Sequence, residues 1–250
     1  MDFEKQNAMT LHIQKDAAAV SQELAEWITS YIETILSKNE RFTWVLTGGN
    51  SPKALYDLLS TPPYSTRIAW EKLHFFWGDE RAVPFEDERN NAKMTYTHLL
   101  NKVPVVPSQV HVMRTDIDPP EAANEYEQII KSYFPNEGPS FDLVLSGMGD
   151  DGHTLSLFPG TAVVHEKKAW VTSFYLSPQQ MFRITLTAPI VNRAGRVAFL
   201  SFGAAKAHAL YEVLQGKYNP DLYPSQLIQP ASGELHWFTD TAAASLLDKK

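Results

Sequence analysis

The chain has 250 residues, 44% hydrophobic and 20% charged, with a net charge of −7 and no cysteine. That length supports a substantial core, and the absence of any eighteen-residue apolar run argues against a membrane span. The acidic balance, with no basic stripe or tail, excludes general nucleic-acid binding, and zero cysteines exclude disulfides, thiolate chemistry and cysteine-ligated zinc.

The first residues, MDFEKQNAMTLHIQKD, show no basic region followed by an apolar one. No secretory signal is expected, and a cytoplasmic address is the default. Asp16 is a good N-cap for a helix over 17–37, where Val20, Leu24, Trp27, Ile28, Tyr31 and Ile35 form one apolar stripe. FTWVLTGG (42–49) reads as a short strand ending on two glycines. Ser51 and Pro52 fit an N-cap and first helical position, opening PKALYDLLS.

The same order of strand, glycine and helix recurs along the chain. LHFFWGDER (73–81) breaks at Gly78, and helices are predicted over 90–101 and, after Pro119-Pro120, over 121–133. FDLVLSGMG (141–149) is a third junction. Residues 169–174 and 183–187 read as strands, and RVAFLSFG (196–203) leads into the helical AAKAHALYEVLQG. LHWFTD (235–240) reads as a last strand before an Ala-rich terminal helix, while 60–64 and 217–230 read as loops. Strands alternating with helices predict a doubly wound α/β fold, with a mostly parallel sheet covered by helices on both faces in a single domain over 1–250. In such sheets ligands bind beyond the carboxyl ends of the strands, so the four glycine junctions are expected on one edge.

Chemistry concentrates at those junctions. Thr47-Gly48-Gly49-Asn50-Ser51 could bring backbone N–H groups to an anion, although as a local signal it is equally a tight turn. It lacks the G-K-[ST] of a Walker loop and is not G-x-G-x-x-G, so nucleotide binding is not supported. Trp77-Gly78-Asp79-Glu80-Arg81 could place Asp79 and Arg81 on the cleft edge, with Asn90 and Asn91 adding hydrogen bonds. Such charge runs are more often solvated clusters with an internal ion pair. Asp151-Gly152-His153 carries an acid two residues from a histidine, the usual general base. A lone histidine is more often a bystander. Lys206 lies in the first turn of a helix, where an amine opposes the helix dipole unless an anion is bound. Arg183 opens a strand that reaches the same edge if it runs antiparallel.

Together these stretches resemble the 6-phosphogluconolactonase family. The resemblance is carried by LTGGNSPKALYDLL, FFWGDERAVPFEDERNNAKM, DLVLSGMGDDGHTLSLFPG, RITLTAPIVNRA and FLSFGAAKAHAL, in that order over roughly 42–215. It implies hydrolysis of 6-phosphogluconolactone in the oxidative pentose phosphate pathway, with no cofactor and no metal. It also implies that Gly48, Gly49, Asn50, Ser51, Lys206 and Arg183 hold the 6-phosphate. The expected mechanism has His153 activating water, Asp151 orienting His153, and Arg81 with Asp79 binding the sugar or stabilising charge. The sequence departs from the family pattern at Asn50, Ala82, Asp150 and Leu155. The expected partner is a small phosphorylated sugar lactone, with neither nucleic acid nor membrane. Alternatives are a glucosamine-6-phosphate deaminase on the same scaffold and a non-catalytic sugar-phosphate-binding regulator.

Overall fold

A computed structural model of the chain describes residues 9–136 and 138–248. In chain order it begins with β1 (Met9–Gln14), α1 (Ala17–Leu36), β2 (Phe42–Leu46), α2 (Lys53–Leu59) and α3 (Tyr64–Arg67). Then come β3 (Leu73–Trp77), β4 (Asp79–Arg81), α4 (Asn91–His98), α5 (Pro119–Tyr133) and β5 (Leu143–Gly147). The chain continues through β6 (Val171–Leu176), β7 (Met181–Leu186), α6 (Ala188–Val191), β8 (Arg196–Ser201), α7 (Ala207–Leu214) and β9 (Glu234–Asp240).

Six strands form a parallel sheet in the order β1-β9-β8-β5-β2-β3, as the alternating pattern predicts. Side chains alternate across it. Phe42, Trp44, Leu46, Leu143, Leu145, Ala198 and Leu200 join one core layer with α1 and α2. Val45, Val144, Val197 and Phe199 face a second layer closed by α5 and α7. Full burial of a Val, Leu or Phe contributes roughly 1.5–3 kcal/mol, so these doubly covered strands anchor the fold. Asp16 caps α1 as expected, its carboxylate accepting from Ala19 N at 2.8 Å.

A second sheet is antiparallel, in the order β4-β7-β6. It pairs the three charged residues after Gly78 with the predicted RITLT strand, so Arg81 stands opposite Arg183. Among the described residues no helix is long and apolar enough to cross a membrane.

Several expectations need correction. β1 went unread because its Met9, Leu11 and Ile13 alternation lies in a segment that reads as polar overall; it forms the sheet edge beside β9. The Ala-rich terminal helix is only one 3₁₀ turn, Ala243–Leu246. The chain turns extended at Leu247, which packs into the second core layer. The 90–101 helix stops at His98 and continues as a separate 3₁₀ turn. Ser51 does not cap α2: Asn50 to Pro52 form a turn of their own, and the helix begins at Lys53 without a side-chain cap.

Candidate active site

The chain reverses direction across the sheet between β2 and β5. These neighbours are followed by connections on opposite layers, α2 on one and β6 with β7 on the other. A crevice must open at such a switch point. A cleft of about 300 Å³ lies there. Gly48, Gly49, Asn50 and Ser51 line it after β2, and Asp79, Arg81 and Asn91 after β3. Gly149 and His153 line it after β5, Arg183 from β7 and Lys206 after β8. Every predicted site residue except Asp151 and Asn90 is on its wall; Asn90 instead caps α4, its side chain accepting from Lys93 N at 2.8 Å.

Asp151 stands behind His153. Its carboxylate is 2.6 Å from His153 Nδ1 and also accepts from His153 N at 3.1 Å. Burial pushes the Asp151 carboxyl up, but the hydrogen bonds and charge of His153 outweigh it and hold it below the usual carboxylate range. With Nδ1 engaged, Nε2 is the ring nitrogen left for a ligand. Phe158 stacks on the imidazole at 4.1 Å and fixes its plane.

The tight turn requires its glycine: a Cβ on Gly149 would lie 2.1 Å from His153 Nδ1. From outside, the 217–230 loop straps the turn down. Ser225 donates to the Gly152 carbonyl through both its N–H, at 3.0 Å, and its hydroxyl, at 2.8 Å. Gln226 anchors that loop by donating to the carbonyls of Glu212 and Lys217. The next residues continue the constraint. Leu155 holds φ at +54°, a strained value for a side-chain-bearing residue, and it too lines the cleft.

The charged run after β3 is not a solvated cluster. Asp79 and Glu80 are 7% and 1% exposed. Glu80 turns away from the cleft and serves α4, accepting from Asn91 N, Ala92 N and Arg81 N at 2.8–2.9 Å. Burial pushes its carboxyl up to about 7 against those hydrogen bonds. Asp79 takes a 2.6 Å hydrogen bond from Ser156 and lies 3.6 Å from Arg183. Its ionic partner is therefore Arg183 rather than the Arg81 two residues away. Asn91 donates to the Asp79 carbonyl at 2.9 Å and packs against Gly48, where a Cβ would meet its Oδ1 at 1.8 Å.

Arg81 and Arg183 face each other across β4 and β7, an arrangement of like charges that ordinarily destabilises a strand pair. Arg81 Nη1 donates to the Arg89 carbonyl at 2.7 Å, but its Nε has no partner among the described residues. Arg183 is 2% exposed, and its Nε and Nη1 also lack partners among the described residues. Burial lowers its pKa and Asp79 opposes that shift. Buried donors without acceptors are costly, and an anion in the cleft would satisfy them. Lys206, in a 3₁₀ turn leading into α7, adds a third cation, with Nζ 2.5 Å from Asp150 Oδ1.

Sequence reasoning missed three supporting residues. Glu80 was hidden inside the charge run, and Ser225 inside a loop with no motif. Ser156 stood in the matched TLSLFPG stretch without a role, and only its meeting with Asp79 across 77 residues supplies one.

Residues 15–237 match the family described as glucosamine-6-phosphate isomerases/6-phosphogluconolactonase. The chain is 38% identical over 224 residues to the 6-phosphogluconolactonase of Synechocystis, covering 88% of this chain and 90% of that one. It is 36% identical over 242 residues to the Nostoc 6-phosphogluconolactonase, covering 95% and 98%. The structure of 6-phosphogluconolactonase from Trypanosoma brucei superposes with a TM-score of 0.85 at 25% identity, over 97% of this chain and 100% of that one. On its fold, its cleft and these likenesses, the chain belongs to the 6-phosphogluconolactonase family, within the wider glucosamine-6-phosphate isomerase/6-phosphogluconolactonase group.

Proposed function

We propose that the chain, as one domain over residues 1–250, hydrolyses 6-phospho-glucono-1,5-lactone to 6-phosphogluconate in the oxidative pentose phosphate pathway. The carrying observation is His153 on the wall of a cleft that also holds three cationic side chains, with Asp151 joined to it from behind at 2.6 Å. The 36–38% identity with cyanobacterial 6-phosphogluconolactonases supports the same substrate.

Lactone hydrolysis needs an activated water, stabilisation of the developing oxyanion and a proton for the departing ring oxygen. His153 Nε2 takes a proton from the water as that water attacks C1. Asp151 keeps the proton on Nδ1 and stabilises the imidazolium that forms. Arg81, held by the Arg89 carbonyl, presents its guanidinium edge toward the reacting carbonyl. Collapse of the tetrahedral species breaks the bond from C1 to the ring oxygen, and the proton held by His153 is returned to that oxygen. The phosphate lies remote from C1, held by the Gly48–Ser51 turn, Lys206 and Arg183. Asp79 orients Arg183 rather than touching the reacting atoms. No serine nucleophile is required, and the sequence has no G-x-S-x-G elbow. Zero cysteines suit a reducing, cytoplasmic setting.

The test is disappearance of 6-phosphogluconolactone followed against its spontaneous hydrolysis. Purified protein should accelerate it well above the blank. Release of ammonia from glucosamine 6-phosphate with no effect on the lactone would replace this reading with the deaminase. Binding without either reaction would replace it with a regulator.

A further inference from the structure

Lys206 stands where helix electrostatics disfavour a cation. It closes the 3₁₀ turn at the start of α7. Its side chain is only 21% exposed and lines the cleft. Its ionic partner is Asp150, at 2.5 Å, in the turn that also carries Asp151 and His153. Asp240 is instead turned to the backbone, its Oδ1 accepting from Gly203 N and Ala243 N at 3.0 and 2.8 Å. The Asp150 side chain is 63% exposed, free to swing into solvent.

We infer that Asp150 is an affinity-setting residue: an internal anion that occupies Lys206 in the free enzyme and must be displaced by the phosphate of substrate or product. The inference rests on the lactonase reading, since it takes Lys206 to be a phosphate ligand. A phosphate dianion and the Asp150 carboxylate cannot share one ammonium without mutual repulsion. Each phosphorylated ligand is therefore held more weakly than Lys206 alone would hold it. The product is weakened as much as the substrate, because both carry the same phosphate, and the product must leave before the next turnover. Asp150 returning to Lys206 as the phosphate departs assists that release.

The experiment is titration calorimetry of 6-phosphogluconate, and separately of inorganic phosphate, into the parent, Asp150→Asn, Lys206→Ala and the double variant. Asp150→Asn keeps the side-chain shape at an exposed position, so its thermal midpoint should match the parent's. It should bind both probes about two- to fivefold more tightly, the range of one exposed ion pair. In the Lys206→Ala background the same substitution should change affinity by less than that, because its partner is gone. Unchanged or weaker binding by Asp150→Asn would overturn the inference. So would an equal gain in both backgrounds, which would reduce Asp150 to a general negative charge. If the parent binds neither probe, the functional reading falls and takes this inference with it. If the parent binds and only the Asp150 effect is missing, the functional reading stands.

Discussion

Two sheets build the cleft, and they supply different kinds of residue. The turns after β2, β5 and β8 of the parallel sheet contribute Gly48–Ser51, the Asp151–His153 pair and Lys206. The small antiparallel sheet contributes Asp79, Arg81 and Arg183. Groups from the first set are half-exposed and find their ionic partners within their own turns or the next, as His153 does in Asp151 and Lys206 in Asp150. Groups from the second are largely buried, paired across distant strands, and left with unmet donors on Arg81 and Arg183. The difference teaches that the parallel sheet's turns carry their reactive side chains partly exposed, each tied to a carboxylate in its own turn or a neighbouring one. The antiparallel sheet instead holds positive charge in place at the cost of unmet donors.

The largest effect should come from the parallel-sheet set. His153→Ala should lower turnover about 10²–10⁴-fold, the usual scale for a lost general base, with apparent affinity little changed. Steady-state kinetics on lactone loss, with a thermal melt to confirm folding, checks this. Near-normal turnover in a folded variant would remove His153 from the mechanism.

Lys206→Ala should weaken binding about tenfold to a hundredfold, as expected for one charge-assisted phosphate contact, and leave turnover nearly intact. Competition by inorganic phosphate should weaken in parallel. Retained affinity would remove Lys206 from the phosphate site.

Arg81→Lys probes the antiparallel set. Lysine keeps the charge but cannot reproduce a guanidinium fixed by the Arg89 carbonyl. Its kcat/KM should fall about tenfold with the thermal midpoint held. Unchanged efficiency would leave the unmet Nε as a packing accident.

The smallest effect concerns Glu80 and is one of stability. Burial raises its carboxyl to about 7, against about 4.3 for an unfolded glutamate. A carboxyl raised on folding contributes stability that is fully present below the unfolded pKa and is lost as pH rises through the folded one. The thermal midpoint should therefore drift down between about pH 4.5 and 7, and Glu80→Gln should flatten that drift. An equally steep drift in the variant would assign it elsewhere.

The parallel-sheet half of the site was legible because its signals are local. A hydrophobic run stopping on glycines marks a strand end, and four such ends in a β/α alternation must share an edge. That pattern put His153, Lys206 and the Gly48–Ser51 turn on the edge, while their roles came from the family resemblance. Arg183 was reachable only on the condition that its strand ran antiparallel, which it does. What stayed hidden depends on contacts between segments far apart in sequence. Asp79 looked like the partner of Arg81 because they are two residues apart, yet the pairing of β4 with β7 and burial give it Arg183 and Ser156 instead. The Ser225 strap on Gly152 spans 73 residues and has no periodic signature. β1 was missed for a related reason: on this edge strand Met9 and Ile13 are exposed and Leu11 alone of its apolar residues joins a core layer, so too little marks it out.

The most direct test of the central claim, that the parallel-sheet turns divide chemistry from phosphate holding, is a structure with 6-phosphogluconate bound. The account predicts phosphate oxygens at hydrogen-bond distance, about 3 Å, from Lys206 Nζ and the Gly48–Ser51 turn. It also predicts the C1 carboxylate beside His153 Nε2 and Arg81. The reverse orientation, with the phosphate against His153 and the carboxylate at Lys206, would contradict it.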